Sequence, residues 1–200
     1  MIAIVDYGTG NLASVIKAFR AAGADPRLVR DPGGLSGAEG IVIPGVGHFD
    51  ATRAIDDGRR AAIRAAAARG VPLLGICLGM QWLFSGSDES PDLAGLGVFD
   101  GRVSRLTGDV KVPHVGWNTL RATTASPLLE GLDDNAAMYF THSFAAPIVP
   151  ETVAVTEHGV PFTSIVERGN IAGMQFHPEK SGTAGLRLIR NWVTACSASV

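Results

Sequence analysis

The apolar and polar positions of the first hundred residues alternate between short apolar runs and longer stretches of helical period. Strands are predicted at 2–6, 41–43 and 72–76, and helices at 12–22 and 59–69, each helix being followed by a glycine. A strand-helix-strand-helix order favours a parallel sheet covered by helices on both faces. Active residues are then expected at the carboxyl ends of the strands.

The second half of the chain carries shorter apolar runs and one final amphipathic helix. Strands are predicted at 97–103, 118–121, 138–140, 152–157, 162–166 and 171–175, and a closing helix at 184–195. The whole pattern predicts an α/β fold in one domain over residues 1–200. Its central sheet is expected to be mostly parallel, and its second half rich in strands.

One apolar strand leads directly into a cysteine between two glycines, in the run Gly75-Ile76-Cys77-Leu78-Gly79. A Gly-x-nucleophile-x-Gly turn forces the central residue into a strained conformation, and glycines let strand and helix approach closely enough to form it. A helix N-terminus favours a thiolate, and the N–H of Leu78 can stabilise an oxyanion. The pattern therefore predicts that Cys77 is a nucleophile, the alternative being a small buried core cysteine.

A histidine and a carboxylate follow the predicted strand 171–175, two residues apart. Pro178 disfavours helix at His177, so the segment is extended and side chains at i and i+2 share a face. Glu179 can then fix the imidazole tautomer and support the imidazolium that forms when His177 takes the thiol proton. Alone, the motif is more typical of a solvated surface pair, but with Cys77 it completes a nucleophile, a base and an orienting group.

A zinc site is a competing interpretation, because His-x-Glu also occurs in zinc deaminases. No Pro-Cys-x-x-Cys follows His177, and the other thiol, Cys196, falls in the closing helix. We therefore expect no metal and no cofactor.

The loop after the first strand suggests a different class of function. Its sequence, Gly8-Thr9-Gly10-Asn11-Leu12-Ala13, fits the G-x-G-x-x-A pattern of dinucleotide-binding folds, and Asp25 and Asp31 bracket the expected acidic position. The second mononucleotide-binding half is missing, however, so a tight strand-to-helix turn is the favoured interpretation. A dinucleotide-binding module remains the rival from another class.

A second glycine-rich segment, Pro44-Gly45-Val46-Gly47, follows the predicted strand 41–43. Its backbone amides are expected at the same sheet edge as Cys77, where they can supply a second oxyanion donor.

Composition narrows the possible partners and the compartment. With 200 residues, 46% of them hydrophobic, the chain can bury a substantial core. A net charge of −2 gives no basic surface for nucleic acid or membrane, and the first seven residues lack the features of a signal peptide. Two cysteines, one of them needed as a free thiol, favour a reducing compartment, so we expect a cytoplasmic protein.

The segments Gly75-Ile76-Cys77-Leu78-Gly79-Met80-Gln81 and Phe176-His177-Pro178-Glu179 resemble the Cys-His-Glu triad motifs of class I glutamine amidotransferases. Within that family, further segments resemble the glutaminase subunits of imidazole glycerol phosphate synthases. They are Asp6-Tyr7-Gly8-Thr9-Gly10-Asn11-Leu12, Pro44-Gly45-Val46-Gly47-His48-Phe49, Pro113-His114-Val115-Gly116-Trp117-Asn118, Tyr139-Phe140-Thr141-His142-Ser143 and His177-Pro178-Glu179-Lys180-Ser181.

The resemblance implies the class I glutamine amidotransferase fold and L-glutamine as the substrate. It also implies a heterodimer with a (β/α)8-barrel cyclase subunit that uses the ammonia in histidine biosynthesis. Another stand-alone amidotransferase subunit, such as the one serving pyridoxal phosphate synthesis, carries the same triad. The segment 113–118 and Lys180 favour the histidine pathway.

The resemblance further implies roles for individual residues. Cys77 attacks the glutamine side chain, His177 shuttles protons and Glu179 orients His177. The remaining roles fall to Gly45, Val46 and Leu78 at the oxyanion, to Gly47, Gln81 and Glu89 at the substrate, and to Asn11, Trp117, Tyr139 and Lys180 at the cyclase. Plain core packing is the alternative for the two aromatic residues. Phe144 and Val115 depart from a common tyrosine and a common methionine.

Overall fold

The structure is a computed structural model that describes residues 1–198, so the last two residues of the predicted domain lie outside it. The strands are β1 (Ile2–Val5), β2 (Pro26–Val29), β3 (Gly40–Ile43), β4 (Leu73–Ile76), β5 (Gly86–Ser87), β6 (Ser90–Ala94), β7 (Arg102–Arg105), β8 (His114–Thr119), β9 (Arg121–Ala122), β10 (Ala137–His142), β11 (Phe144–Ala145), β12 (Thr152–His158), β13 (Val160–Arg168) and β14 (Ile171–Met174). The α-helices are α1 (Leu12–Ala21), α2 (Asp57–Ala68), α3 (Leu78–Leu83) and α4 (Gly182–Ala198).

A central sheet of eight strands organises the fold, in the order β2-β1-β3-β4-β14-β13-β12-β9. The first five strands are parallel to one another, and the last three are joined by antiparallel pairings. Two smaller sheets, β10-β8 and β11-β7-β5-β6, come from the strand-rich second half. The predicted α/β architecture is therefore confirmed.

Helices cover both faces of the parallel strands. In β1, Ile2 and Ile4 join the core beneath α1 and α4, whereas Ala3 and Val5 join the core beneath α2 and α3. Because both faces are buried, such strands are apolar throughout rather than alternating. This explains why they could be located from the sequence.

Several predicted boundaries are wrong. The strand expected at 97–103 begins only at Arg102, as β7. Gly97 and Gly101 adopt positive φ angles of 70° and 97° and form turns before it. The strand expected at 118–121 begins earlier, as β8, and Arg121 belongs to β9, which pairs with β12. Helix α2 begins two residues early because Asp56 caps it by accepting from the N–H of Arg59 at 2.8 Å.

The turn from β4 to α3 carries Cys77 at φ 53°, ψ −107°, a conformation that a residue with a Cβ rarely adopts. A Cβ on Gly79 would lie 1.8 Å from the carbonyl oxygen of Ile43, and one on Gly75 would lie 2.6 Å from that of Gly79. Helix α3 therefore rests directly on the backbone of β3 and β4. The close approach expected from the two glycines is present.

We expect Gly79→Ala to reduce the free energy of unfolding by about 3 kcal/mol or more, because backbone must move to admit the new methyl group. Gly33→Ala is the matched control, since a Cβ there meets nothing within 4 Å and no positive φ is involved. Urea unfolding of both variants measures the difference. Equal midpoints would show that α3 can move away from β3 at little cost.

Candidate active site

The carboxyl ends of β4 and β14 lie side by side at one edge of the central sheet, with Met174 paired to Ile76. The segments that follow these strands bring Cys77 and His177 to that edge. The backbone N–H of His177 is fixed by the carbonyl oxygen of Tyr139 at 2.9 Å. A cavity of about 250 Å³ opens beside Cys77. Its lining consists of Val46, Gly47, Cys77, Leu78, Gln81, Glu89, Pro113, Thr141, His142, Ser143 and Phe144.

His177 and Glu179 form a buried pair next to Cys77. Nδ1 of His177 lies 2.8 Å from Oε1 of Glu179, and each side chain is 2% exposed. Burial lowers the pKa of His177, but the adjacent Cys77, as a thiolate, and the Glu179 carboxylate outweigh it and raise that pKa to about 9. Nε2 of His177 has no hydrogen-bond partner within residues 1–198. The structure thus brings together the three residues predicted as a triad.

The sulfur of Cys77 has two further polar neighbours, neither of them identified from the sequence. Its Sγ lies 4.0 Å from the carbonyl oxygen of Thr141 and 3.8 Å from Nε2 of Gln175. Gln175 is completely buried, directly after β14. The sequence did carry one signal for Gln175, a single amide side chain at the end of an otherwise apolar predicted strand. Such a side chain must find hydrogen-bond partners when it is buried.

Of the three residues predicted at the oxyanion, Val46 and Leu78 line the cavity and Gly45 does not, and the N–H groups of Val46 and Leu78 already have acceptors. The N–H of Leu78 donates to the carbonyl oxygen of Gly45 at 3.4 Å. The N–H of Val46 donates to Oγ1 of Thr9 at 3.3 Å, and the Thr9 hydroxyl donates to the Val46 carbonyl oxygen at 2.6 Å. In this conformation neither the N–H of Val46 nor that of Leu78 is available to a ligand in the cavity. The glycine-rich loop that resembled a dinucleotide site supports this segment instead.

The three residues expected at the substrate all line the cavity. Nε2 of Gln81 donates to the Phe144 carbonyl oxygen at 2.8 Å and to Oε1 of Gln175 at 3.1 Å, so its amide oxygen is left to accept from a ligand. Glu89 is held by the backbone N–H of Phe49, which donates to Oε2 at 2.7 Å. Gly47 is in the left-handed region at φ 100°.

Three of the four residues expected at the cyclase form one surface group, which we call the aromatic patch: Trp117, Tyr139 and Lys180. The two rings are cross-strand neighbours on β8 and β10, 6.0 Å apart, and Nζ of Lys180 lies 5.8 Å from the Tyr139 ring centre. Trp117 is 60% exposed, so core packing is wrong for this residue. Asn11 is exposed at the start of α1, where Oδ1 caps the helix by accepting from the N–H of Ser14.

Within residues 1–198, no three His, Cys, Asp or Glu side chains are grouped so that they could hold a metal ion. No helix in the same range is long and apolar enough to cross a membrane. Cys196 is 1% exposed, and burial raises its pKa to about 12, as suits a thiol of the core.

Comparison with known proteins agrees with this geometry. Residues 3–196 match the family described as glutamine amidotransferase class-I. Imidazole glycerol phosphate synthase subunit HisH of Halobacterium salinarum is 49% identical over 98% of this chain and 94% of its own length. HisH of Thermococcus kodakarensis is 50% identical over 96% of this chain and 98% of its own length.

Solved structures share the fold at lower sequence identity. One described as a glutamine amidotransferase superposes with a TM-score of 0.78 at 21% identity, covering 98% of this chain and 100% of the other. The structure of PurLQS from Thermotoga maritima superposes with a TM-score of 0.75 at 19% identity, covering 97% of this chain and 97% of the other. The chain belongs to the class I glutamine amidotransferases and, within them, to the HisH family.

Proposed function

We propose that this chain is the glutaminase subunit of an imidazole glycerol phosphate synthase. It hydrolyses L-glutamine to glutamate and passes the ammonia to a cyclase subunit in histidine biosynthesis. The observation that carries the proposal is the buried His177–Glu179 pair next to Cys77, which itself lines the cavity, in a member of the HisH family. The relatives' names favour this pathway over that of other glutaminase subunits, including the one serving pyridoxal phosphate synthesis.

The partner we propose is a (β/α)8-barrel cyclase subunit, bound as a heterodimer through the aromatic patch and Asn11. An exposed tryptophan and a half-buried tyrosine beside a lysine are typical of the anchoring residues of an interface. We place the reaction in the cytoplasm, because a reducing compartment keeps a nucleophilic thiol free. No cofactor takes part in this chemistry.

The first half of the reaction forms a thioester. The thiol proton moves to Nε2 of His177, and Sγ of Cys77 attacks the carbonyl carbon of the glutamine side chain. Glu179 stabilises the resulting imidazolium through Nδ1. The imidazolium then gives its proton to the leaving nitrogen, the C–N bond breaks, and ammonia departs.

The second half returns the enzyme to its starting state. Water attacks the thioester carbonyl carbon while His177 takes one of its protons. The C–S bond breaks, and the sulfur of Cys77 leaves with the bonding electrons. It then shares with His177 the proton that His177 took from water, and glutamate departs.

Two acceptors in the cavity suit the α-ammonium group of glutamine. The Glu89 carboxylate is fixed in place by the Phe49 N–H. The Gln81 amide oxygen is turned to the ligand, because its nitrogen is occupied by Phe144 and Gln175. These contacts would orient the substrate with its side-chain amide toward Cys77.

An oxyanion hole requires a change in one peptide unit. The Gly45 carbonyl and the Val46 N–H belong to the same peptide, so a rotation of about half a turn moves both together. The Val46 N–H would then point where the carbonyl now lies, and the Leu78 N–H would be released. The Gly45 carbonyl would turn toward Thr9, whose hydroxyl can donate as well as accept.

The aromatic patch, where we propose that the cyclase binds, is connected to the Gly45–Val46 peptide through neighbouring elements of the fold. Lys180 of the aromatic patch is the residue after Glu179, in the short 3-10 helix Pro178–Lys180 that contacts α1. The loop that bears Thr9 leads into α1. We propose that docking of the cyclase favours the rotated peptide and so completes the oxyanion hole.

The nucleophile is tested directly by Cys77→Ala. In complex with the cyclase, we expect this variant to lose glutaminase turnover by about 10⁴-fold or more while retaining partner binding, because only the attacking sulfur is removed. The control is Cys196→Ala, a change confined to the core. Glutamate release at a near-parental rate by Cys77→Ala would refute the thioester mechanism.

The His177–Glu179 pair predicts a pH effect with a definite sign. The imidazolium should persist until the pH rises through about 9, so the alkaline limb of kcat/KM should lie there. Glu179→Gln removes an anion that raises the His177 pKa, and the limb should therefore move to lower pH. We expect Glu179→Gln to lose less activity than His177→Ala, and most of its loss to appear in kcat rather than in KM. An unmoved limb would show that Glu179 does not support the imidazolium.

Thr9 offers a test of the resting peptide conformation. Thr9 makes two hydrogen bonds with Val46 in the present orientation, one of them from the N–H of the peptide that rotates. After rotation its single hydroxyl hydrogen could serve only one carbonyl, so Thr9→Val should raise glutaminase turnover of the isolated chain by about three- to tenfold. The control Thr9→Ser keeps the hydroxyl and should match the parent. Equal turnover of the two variants without cyclase would contradict this role.

A further inference from the structure

We propose that Gln175 is a further catalytic residue, whose side-chain N–H donates to Sγ of Cys77 and stabilises the thiolate. The proposal rests on the proposed function in one respect only, that Cys77 is the nucleophile. Nε2 of Gln175 lies 3.8 Å from Sγ, a distance within the range of hydrogen bonds to sulfur. The contact is largely shielded from bulk solvent, since Gln175 is 0% exposed and Cys77 is 4% exposed.

The orientation of the Gln175 amide follows from its neighbours. The Phe144 carbonyl can only accept, so Gln81 must direct its nitrogen there, at 2.8 Å. The second hydrogen of that nitrogen points at Gln175, at 3.1 Å, so Gln175 must present its oxygen to it. The Gln175 nitrogen is therefore turned toward Sγ.

The Phe144 carbonyl is itself held by a row of fixed donors. Nδ1 of His142 lies 2.9 Å from it, and because the carbonyl accepts, this nitrogen carries the hydrogen. Burial lowers the pKa of His142 to about 3, so its Nε2 is unprotonated and accepts from Nδ1 of His114 at 3.1 Å. Asn118 donates in turn to Nε2 of His114 at 3.3 Å. The row of donors from β8 thus ends at the Phe144 carbonyl and holds it in place, and that carbonyl orients Gln81 and, through Gln81, Gln175.

The chemistry benefits twice from such a donor. When the thiol proton moves to His177, negative charge develops on Sγ, and a fixed N–H donor on the buried side of the sulfur stabilises it without reorganisation. When water cleaves the thioester, sulfur leaves with the bonding electrons and gains the same stabilisation. Gln175 faces the sulfur from the end of β14, the strand that also leads to His177.

The test is the pH profile of Cys77 alkylation by iodoacetamide, measured on the full chain in a Cys196→Ala background. Gln175→Met removes the donor at similar side-chain length. We expect the midpoint of its profile to rise by about one pH unit, because the loss of one hydrogen bond to an anion is of that size. In complex with the cyclase, kcat should fall by about tenfold, with a smaller change in KM.

A matched control is Ser164→Ala on the adjacent strand β13. Its hydroxyl is buried and has no hydrogen-bond partner within residues 1–198, while its carbonyl oxygen accepts the backbone N–H of Gln175. This variant should leave the alkylation midpoint unchanged. Gln175→Leu repeats the loss of the donor with a different shape, so a folding defect in one variant does not decide the test.

An unchanged midpoint in Gln175→Met and Gln175→Leu would overturn the proposal. A rise in KM alone would overturn it too, since Gln175 would then act only by holding Gln81 against the substrate. Alkylation needs neither glutamine nor cyclase. A shifted midpoint in a chain without glutaminase activity would therefore support the Gln175 contact and refute the proposed function separately.

Discussion

The approach of α3 to the backbone of β3 and β4 is the constraint on which the rest of the site depends. A Cβ at Gly79 would lie 1.8 Å from the Ile43 carbonyl oxygen, so this packing admits only glycine. It holds Cys77 in a sparsely populated backbone conformation, with its N–H bound to the Met174 carbonyl oxygen at 2.7 Å. Strain of this kind, of the order of 1–3 kcal/mol, persists only where the surroundings fix it. The sulfur and, one turn later, Gln81 then face the same cavity.

The two sides of this cavity differ in how firmly they are held. On the side of the sulfur, carbonyl and amide groups permit one arrangement of donors, so Gln81 and Gln175 are fixed. On the opposite side, the peptide between Gly45 and Val46 is held by a hydroxyl, which donates or accepts with equal ease. In the proposed mechanism Cys77 is thus prepared in advance as the nucleophile, while the oxyanion hole is completed by a peptide rotation that the proposed partner favours.

The sequence predicted the triad because each member has a local signal. Glycines on both sides mark Cys77, and Pro178 makes the segment of His177 extended. The fully buried strands were equally visible as continuous apolar runs. Strand β2 was missed because two of its four residues are exposed at the edge of the sheet. The contacts of Thr9 and Gln175 join residues 37 and 98 positions apart, and no local pattern reveals such distant partners.

The central claim is that the isolated chain has a prepared nucleophile but an incomplete oxyanion hole. It is tested most directly by glutaminase turnover of the chain alone against turnover with saturating cyclase and the cyclase's nucleotide ligand. One missing oxyanion donor costs on the order of a hundredfold or more in rate. We therefore expect activation of at least about that size on addition of the cyclase and its ligand. Equal rates with and without them would contradict the account.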